Sequence, residues 1–216
     1  MKILLAVKSC ERDAHNGFNQ TIRDTWGRDV RGADFRFFVG RGRRPLRGDE
    51  VRLQCGDEYL DLPRKTQAIL TWASAREYDF VFLCDTDTFV VPHRLMASGF
   101  EAYDYVGHFG GRPGVPEEQK IDDETRTWAW ASGGCGYWLS RRAAEVVLGT
   151  EPSHWAEDFW VGSVLGPKIA DGSLSAVNHP GYGSDVSMHY CSRGKNRTFD
   201  VSWMGQCYLA AKRQGH

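Results

Sequence analysis

Residues 79–91 read DFVFLCDTDTFVV, and they place two carboxylates inside what reads as a buried strand. Residues 80–84 are apolar, and the chain becomes apolar again at Phe89, so Asp85 and Asp87 are enclosed on both sides. Such a run predicts a buried strand that ends near residue 84. Because side chains of an extended segment alternate in direction, the two acids are expected to share a face.

Similar strands recur along the first half of the chain, separated by helical patterns. Four are predicted, at 2–7, 33–40, 51–55 and 80–84. Apolar residues every four positions predict a helix over 18–26, and Pro63 suits the first turn of another that runs to about Ala73. This alternation predicts an α/β sandwich with a mostly parallel sheet. Ligands of such sheets bind outside the carboxyl ends of the strands, where Asp85 and Asp87 are expected.

The pattern changes near residue 105. Segments 107–114 and 122–127 look loop-like, Ser140 is placed to cap a helix through Leu148, and the chain beyond 170 shows little periodicity. We expect a single domain over 1–216. Its first part, 1–104, resembles a nucleotide-binding layer, and 105–216 would supply loops that build a site.

The carboxylate pair has three interpretations. Two close, half-buried acids repel each other, and a divalent cation would remove that penalty. Oxygen ligands suit Mg²⁺ or Mn²⁺, which keep positions open for phosphate oxygens and water. The alternative is a solvated turn in which Asp87 caps the next element. A phosphohydrolase of the haloacid dehalogenase type would use Asp85 as a nucleophile, although that motif belongs on a first strand.

Composition narrows the classes of function. The 216 residues carry a net charge of -1 and are 41% hydrophobic, which argues against a globally basic nucleic-acid binder. No apolar run is long enough to span a bilayer, and the N-terminal run reads as a strand, so we expect a soluble cytoplasmic protein. Its six cysteines are then expected to stay reduced, with Cys191 and Cys207 the first candidates for a bridge if it were secreted.

Six ordered segments carry a family resemblance. They are NQTIRDTWG (19–27), RFFVG (36–40), EYLDLPRKT (58–66), FVFLCDTDTFV (80–90), WASGGCGYWLS (130–140) and EDFWVG (157–162). Together they resemble glycosyltransferase family 31, the β-1,3-galactosyltransferase and Fringe-like group. The resemblance implies a GT-A (Rossmann-like) three-layer sandwich, a UDP-sugar donor, Mn²⁺ and transfer of a hexose with inversion to a saccharide or glycoconjugate. The halves 1–104 and 105–216 would then bind the nucleotide-sugar and the acceptor, respectively.

The resemblance also assigns roles to residues of the donor side. Asp87 is similar to the direct metal ligand, and Asp85 to the ribose or metal-water contact. His189 matches a late histidine that completes the metal shell, with His179 as its competitor. Arg23 and Lys65 match the basic residues that lie near the nucleotide in the family.

On the acceptor side, Asp158 matches the catalytic base. Glycines such as Gly133 and Gly134 would let the backbone approach a sugar. Tyr137 and Trp160 would offer aromatic faces, with core packing as the alternative. Thr86 stands where the family has a middle acid, and Asn19 where members often carry a basic residue.

One loop is unusually basic. It holds Arg41, Arg43, Arg44 and Arg47, with Arg52 following. A solvated surface loop is one interpretation, and contact with a polyanion is the other. The second leaves open the same chemistry on a hydroxylated base of phage DNA, which would have to be flipped out of a duplex. The sequence does not name the sugar or the linkage.

Overall fold

A computed structural model describes residues 1–121, 124–189 and 201–214. In these ranges the strands are β1 (Ile3–Lys8), β2 (Asp34–Val39), β3 (Glu50–Arg52), β4 (Phe80–Asp85), β5 (Thr88–Val90), β6 (Tyr105–Gly107), β7 (Gln119–Ile121), β8 (Glu124–Arg126), β9 (Tyr137–Ser140), β10 (Ala176–Asn178) and β11 (Ser187–His189). The helices are α1 (Glu11–His15), α2 (Phe18–Asp24), α3 (Leu62–Ser74), α4 (Pro92–Met96), α5 (Arg141–Leu148), α6 (Glu157–Ala170) and α7 (Val201–Arg213).

Seven of the described strands form the central sheet, in the order β10-β6-β9-β4-β1-β2-β3. The strands β4, β1, β2 and β3 run parallel to one another, and so do β10 and β6. Strand β9 is antiparallel to both of its neighbours. The predicted α/β architecture with a mostly parallel sheet is therefore confirmed.

The alternation of side chains along β1 explains why helices cover both faces of the sheet. Leu4 and Ala6 belong to a core cluster that includes residues of α3, α5 and α6. Leu5 and Val7 point the other way, into a second cluster with residues of α2, α4 and α7. A strand that is buried on both faces must be apolar throughout, as β1 is until its last residue, Lys8.

The predicted elements mostly recur with shifted ends. The helix predicted over 18–26 stops at Asp24 and continues as a 3₁₀ turn, Trp26–Asp29. Ser140 caps α5 as predicted, because its hydroxyl accepts a hydrogen bond from the Ala143 N–H. The segment predicted as a loop over 122–127 instead contributes β8, which pairs with β7 in a hairpin.

The end of the chain was predicted least well. Beyond residue 170, where little periodicity is seen, the structure has β10, β11 and the 13-residue helix α7. Among the described residues, no helix combines the length and the apolar character that crossing a membrane requires. Cys207 is a free thiol, and Cys191 lies outside the described residues.

Candidate functional site

A buried ion pair joins the carboxyl ends of the two central strands. Strands β1 and β4 are in parallel register with Lys8 opposite Asp85. Lys8 continues the face of Leu4 and Ala6, and Asp85 continues the face of Val81 and Leu83. Their side chains therefore meet, with the Lys8 Nζ 3.3 Å from the Asp85 Oδ1. The Lys8 side chain is 1% exposed, whereas that of Asp85 is 29% exposed, so the pair leads from the core to the surface.

Glu157, the first residue of α6, extends this pair into a network. The Lys8 ammonium donates a hydrogen bond to the Glu157 Oε2 at 2.9 Å. The other carboxylate oxygen, Oε1, accepts hydrogen bonds from the Tyr137 hydroxyl and, at 3.3 Å, from the Thr66 hydroxyl. All four residues are buried. A carboxylate in the core is tolerated because its oxygens are paired in this way.

The electrostatics of Lys8 and Asp85 follow from this arrangement. Burial disfavours the Lys8 ammonium, but the charges of Asp85, Glu157 and Asp158 outweigh it and raise the pKa of Lys8 above its ordinary value. Burial also raises the pKa of Asp85, against the effect of Lys8 and with a contribution from Asp87. A carboxylate held in this state would gain from additional positive charge nearby.

The segment after β4 is a turn that presents Asp85 and Asp87. Thr88 closes it, because its hydroxyl accepts the Asp85 N–H at 3.0 Å and donates to the Gly134 carbonyl at 2.8 Å. Thr86 is buried, and its hydroxyl donates to the Asp13 carboxylate at 2.8 Å. The residue between the two acids thus anchors the turn, which leaves Asp85 and Asp87 half-buried on its outer side.

A glycine turn, residues 133–136, lies against this segment. Gly133 is packed so closely that a Cβ there would lie 3.0 Å from the Glu157 Oε2 and 3.5 Å from the Lys8 Nζ. Gly136 has a φ of +76°, and a Cβ at this position would lie 2.3 Å from the Phe82 ring. Gly136 therefore requires glycine, whereas a side chain at position 133 would press against the ion-pair network.

Asp158 lies beside the network at the N-terminus of α6. Its Oδ2 accepts the Gly133 N–H at 3.0 Å, and its Oδ1 accepts the Phe159 N–H at 2.8 Å. The residue is half-buried. Acidic residues in the first turn of a helix are favoured by the helix dipole. That reason also applies to Glu157, but the burial of Glu157 beside Lys8 makes it a structural residue, whereas Asp158 keeps part of its surface exposed.

The structure describes the side chains of two of the three predicted metal ligands, Asp85 and Asp87. Asp85 and Asp87 provide oxygen ligands of the kind that Mg²⁺ and Mn²⁺ prefer. No group of three or more His, Cys, Asp and Glu side chains suited to a metal occurs among those that the structure describes. The His189 side chain lies outside them, but its backbone pairs with Thr88, one residue after Asp87. The donor chemistry therefore fits a hard divalent cation, with this histidine adjacent in the sheet.

His179, the competing ligand, is held in the loop after β10. Its Nδ1 accepts the Gly181 N–H at 3.1 Å, and its ring packs edge-on against Tyr182 with centroids 5.2 Å apart. The choice of His189 over His179 stays a prediction.

The two basic residues assigned to the nucleotide have partners within the protein. The Arg23 guanidinium forms two hydrogen bonds with Asp49, of 2.7 and 2.8 Å, and one of 2.9 Å with Glu50. The Lys65 ammonium is buried between the Ser9 carbonyl and the Asp57 carboxylate, at 2.5 and 2.6 Å. Their part in nucleotide binding stays a prediction, and the visible effect of these contacts is to fix the loops around the sheet.

The four residues assigned to the acceptor divide into two groups. Gly133 and Gly134 lie in the glycine turn, where their backbone contacts Asp158 and Thr88. Tyr137 and Trp160 are completely buried, so neither ring offers a face to a sugar in this structure. The alternative of core packing therefore describes these two aromatic residues.

Most arginine side chains of the basic loop bind other groups of the protein. Arg44 pairs with Glu50, and Arg52 pairs with Glu11, each at 2.8 Å. Arg41 and Arg47 donate to uncharged oxygens of Gln54 and Gln20. Since two of the five guanidinium groups neutralise carboxylates of the protein, the described structure does not support a DNA contact at this loop.

Sequence reasoning missed Lys8 as a site residue. The sequence does contain a signal for it. Lys8 ends an otherwise apolar strand, and the alternation of side chains places it on the same face of the sheet as Asp85. A lysine buried in this way needs an anionic partner. The sequence analysis also did not single out two aromatic residues near Asp158, Tyr59 and Trp155, which are exposed.

Comparison with known proteins gives the fold a name. No protein-family model and no curated protein matches the chain. A glycosyltransferase involved in the glycosylation of the major capsid of PBCV-1 aligns with a TM-score of 0.50 and 11% identity, over 95% of this chain and 100% of that chain. The chain has the GT-A fold. The galactosyltransferase LgtC, in complex with donor and acceptor sugar analogues, gives a TM-score of 0.47 and 13% identity, over 97% and 96%.

At these identities the likeness concerns the GT-A fold and not the chemistry. The resemblance to family 31 therefore stays a prediction. The fold indicates where a ligand would bind. Asp85 is the last residue of the central strand β4 and Asp87 follows it, so both lie at the carboxyl end of that strand, where ligands of such sheets bind.

Proposed function

We propose that the chain is a metal-dependent, inverting glycosyltransferase that moves a hexose from a UDP-sugar to a hydroxyl group of a saccharide or glycoconjugate. The proposal takes its donor and its stereochemistry from the family 31 resemblance. The GT-A fold and the placement of the acidic residues support it.

One observation carries the proposal. Acidic side chains from the end of β4 and the start of α6 converge on the single ammonium group of Lys8. Asp85 and Asp87 lie at the end of β4 and on the turn that follows, and Asp158 lies at the start of α6, next to the glycine turn. Two acids for a cation and one separate acid for a proton are the parts that an in-line displacement requires.

In the proposed reaction, Asp158 is the base. Its carboxylate takes the proton of the acceptor hydroxyl while that oxygen forms a bond to the anomeric carbon of the sugar. The bond between that carbon and the β-phosphate oxygen breaks on the opposite face, and UDP leaves with the bonding electrons. The Gly133 N–H and the helix N-terminus keep Asp158 oriented. Phe159, the residue after this base, packs against Trp130 at a centroid distance of 5.5 Å and would limit the access of water to the base.

Asp85, Asp87 and His189 would hold the cation. A bound Mn²⁺ or Mg²⁺ supplies positive charge for the leaving diphosphate, so that no protein acid is needed there. Lys8 keeps Asp85 ionised in its half-buried position, and the hydroxyl of Thr88 keeps the turn closed.

A donor screen tests the proposal. UDP release is measured with Mn²⁺ for UDP-glucose, UDP-galactose and their N-acetyl forms, with and without saccharide acceptors. We expect turnover with at least one donor and a product of inverted anomeric configuration by NMR. Asp158→Asn should lower kcat by about 10²–10⁴-fold, since general-base catalysis contributes that much.

Asp171→Asn is the matched control, because Asp171 caps the other end of the same helix and is exposed. It should retain normal turnover. A product with retained configuration, or full activity of Asp158→Asn, would contradict the assignment of the base.

A further inference from the structure

An aromatic rim borders the site on the side of Asp158. It consists of Tyr59 and Leu60, from a 3₁₀ turn before α3, and Trp155, from the loop before α6. These side chains are 66%, 70% and 45% exposed, respectively. The Tyr59 and Trp155 rings are neighbours, with centroids 5.8 Å apart and an angle of 46° between their planes. Large apolar side chains that cluster at the surface often mark a binding site.

The half of the rim that carries Tyr59 is held rigidly. Glu58 and Asp61 form a reciprocal capping box around the turn, with the Glu58 N–H donating to the Asp61 Oδ2 at 3.0 Å. Gly56 leaves the room for Asp61, because a Cβ there would lie 2.0 Å from the same oxygen. Asp57 ties the segment to the sheet by accepting the Gly40 N–H at 2.7 Å. The exposure of Tyr59 is thus a property of an ordered turn.

The other half of the rim is equally anchored. The His154 Nδ1 accepts the Ala156 N–H at 2.9 Å, which shapes the loop that leads into α6. The His154 ring stacks on Trp155 with centroids 5.3 Å apart and meets Phe159 edge-on at 4.5 Å. The His154 ring therefore covers one face of Trp155 and holds it in place. Trp155 lies three positions before Asp158 in the sequence. Preorganised aromatic residues bind ligands with a small loss of conformational entropy.

The charge around the rim restricts what it can bind. Tyr59 lies within the field of the site, because partial burial and the charges of Asp158, Asp85 and Glu157 raise the pKa of its phenol. Lys8 is the cation that opposes these charges, and it is buried beneath them. An anionic ligand on this side would approach carboxylates, whereas a neutral one would not be repelled.

We infer that the aromatic rim is the acceptor subsite and that its ligand is an uncharged hexopyranoside. The inference rests on the proposed function for the identity of the reaction. The apolar C–H face of such a sugar would lie against Trp155 and Tyr59, and its edge would present a hydroxyl to Asp158. Trp155 is placed for this because only two residues separate it from the base. Sequence reasoning had placed the acceptor aromatics at Tyr137 and Trp160, which are buried.

The test is a direct titration in the presence of UDP and Mg²⁺, followed by ligand-observed NMR. The probes are the methyl β-glycosides of glucose, galactose, N-acetylglucosamine and N-acetylgalactosamine, with methyl β-D-glucuronide as the anionic counterpart. We expect at least one neutral glycoside to bind, with its Kd raised about tenfold or more by Tyr59→Ala combined with Trp155→Ala. The glucuronide should bind several-fold more weakly than its neutral counterpart.

Two further variants separate loss of a ring from loss of structure. Tyr59→Phe with Trp155→Phe keeps aromatic faces and should recover most of the affinity. Tyr103→Ala is the control, because Tyr103 is a partly exposed tyrosine outside the rim. This variant should bind the glycosides as tightly as the wild type does. The inference is overturned if no glycoside distinguishes the wild type from the double alanine variant, or if that variant instead weakens UDP binding. It is also overturned if the glucuronide binds as tightly as the neutral sugars.

This titration needs no turnover, so the two proposals can fail separately. Binding of a neutral glycoside through the rim, together with the absence of UDP release from every donor, would reject the transferase function alone. Inverting turnover that is lost with Asp158→Asn but has an acceptor KM unchanged in the double alanine variant would reject the rim alone.

Discussion

Lys8 connects the core of the molecule with its acidic surface. Its ammonium is the buried positive charge between Asp85 and Glu157, two residues from the ends of different elements. Removing one partner from a buried ion network is costly, because the remaining charges stay buried without compensation. The network therefore makes the position of the Asp85 carboxylate dependent on a residue 77 positions away, in β1.

Lys8→Met tests this dependence. The substitution keeps an unbranched side chain that is one atom shorter and removes its charge, so we expect a loss of about 3–5 kcal/mol in the free energy of unfolding at neutral pH. The loss should shrink as the pH falls, because protonated carboxyl groups no longer need a cation. Urea unfolding at several pH values measures both effects.

Lys168→Met is the control, because Lys168 is an exposed lysine on α6. It should change stability by less than about 0.5 kcal/mol, as surface substitutions do. A similar small change for Lys8→Met would contradict the network.

Glu50 gives a pH dependence that is independent of the acidic site. Burial alone would raise the pKa of Glu50, but the Arg47 N–H and the side chains of Arg44, Arg23 and Asn19 stabilise its anion and lower the pKa from 4.5 to about 2. Because the folded pKa is the lower one, Glu50 contributes stability above pH 4.5 that is lost as the pH falls towards 2.

Glu50→Gln should therefore cost about 3 kcal/mol of unfolding free energy at pH 6 and little at pH 2, since one pKa unit corresponds to about 1.4 kcal/mol. Denaturant unfolding at the two pH values checks this. Glu145→Gln, at an exposed position of α5, should show no such dependence. A constant difference between wild type and Glu50→Gln across this range would be inconsistent with the shift.

At this scale, the sequence was most informative where an acid follows an apolar run. Asp85 and Asp87 were singled out in this way, and both are half-buried, although Asp87 lies in a turn and not in the extended segment that was expected. The hydrogen bond between Lys8 and Glu157 could not be foreseen, because it joins residues 149 positions apart and no local pattern records such a distance. The burial of Tyr137 and Trp160 likewise depends on the packing of α6 against the sheet.

Among the elements, the glycine turn at residues 133–136 connects the two sides of the site. It touches Thr88 through the Gly134 carbonyl and Asp158 through the Gly133 N–H. Its last residue, Gly136, combines a left-handed φ of +76° with a close approach to Phe82. Gly136 can lie this close to Phe82 because it has no side chain.

Gly136→Ala should destabilise the protein by about 2–6 kcal/mol, from roughly 1–3 kcal/mol of backbone strain and roughly 1–3 kcal/mol of overpacking. Gly172→Ala separates the two causes, because Gly172 has a φ of +78° and no atom within 4 Å of its added Cβ. That variant should lose only the backbone share. Equal losses for the two variants, measured by urea unfolding, would exclude the contact with Phe82 as a cause.

The elements with strong periodicity were those that the sequence predicted. Buried residues give clear apolar patterns to four elements, β1, β4, α3 and α5. The predicted ends of these elements lie within one or two residues of the observed ends. Helix α7 was missed because only Met204 among its residues is buried, so its apolar face is weakly marked. Short strands such as β10 and β11 depend on their partners β6 and β5, which a single sequence does not reveal.

In the whole molecule, the order of strands sets the position of the site. β4 and β1 are central and parallel, so their carboxyl ends are adjacent, and α6 crosses the same face of the sheet to bring Glu157 and Asp158 to that edge. We propose that this edge holds a divalent cation and the diphosphate of a nucleotide-sugar. The basic loop, with its internal ion pairs, has no part in this site.

The most direct measurement is anomalous diffraction from crystals of the protein grown with Mn²⁺ and UDP. We expect a manganese peak coordinated by the Asp87 carboxylate and by oxygens of the UDP diphosphate, with Asp158 facing the diphosphate across the cleft. Crystals of Asp87→Ala grown in the same way should lack the peak. A manganese ion and UDP bound elsewhere, with Asp85 and Asp87 contacting neither, would contradict the account.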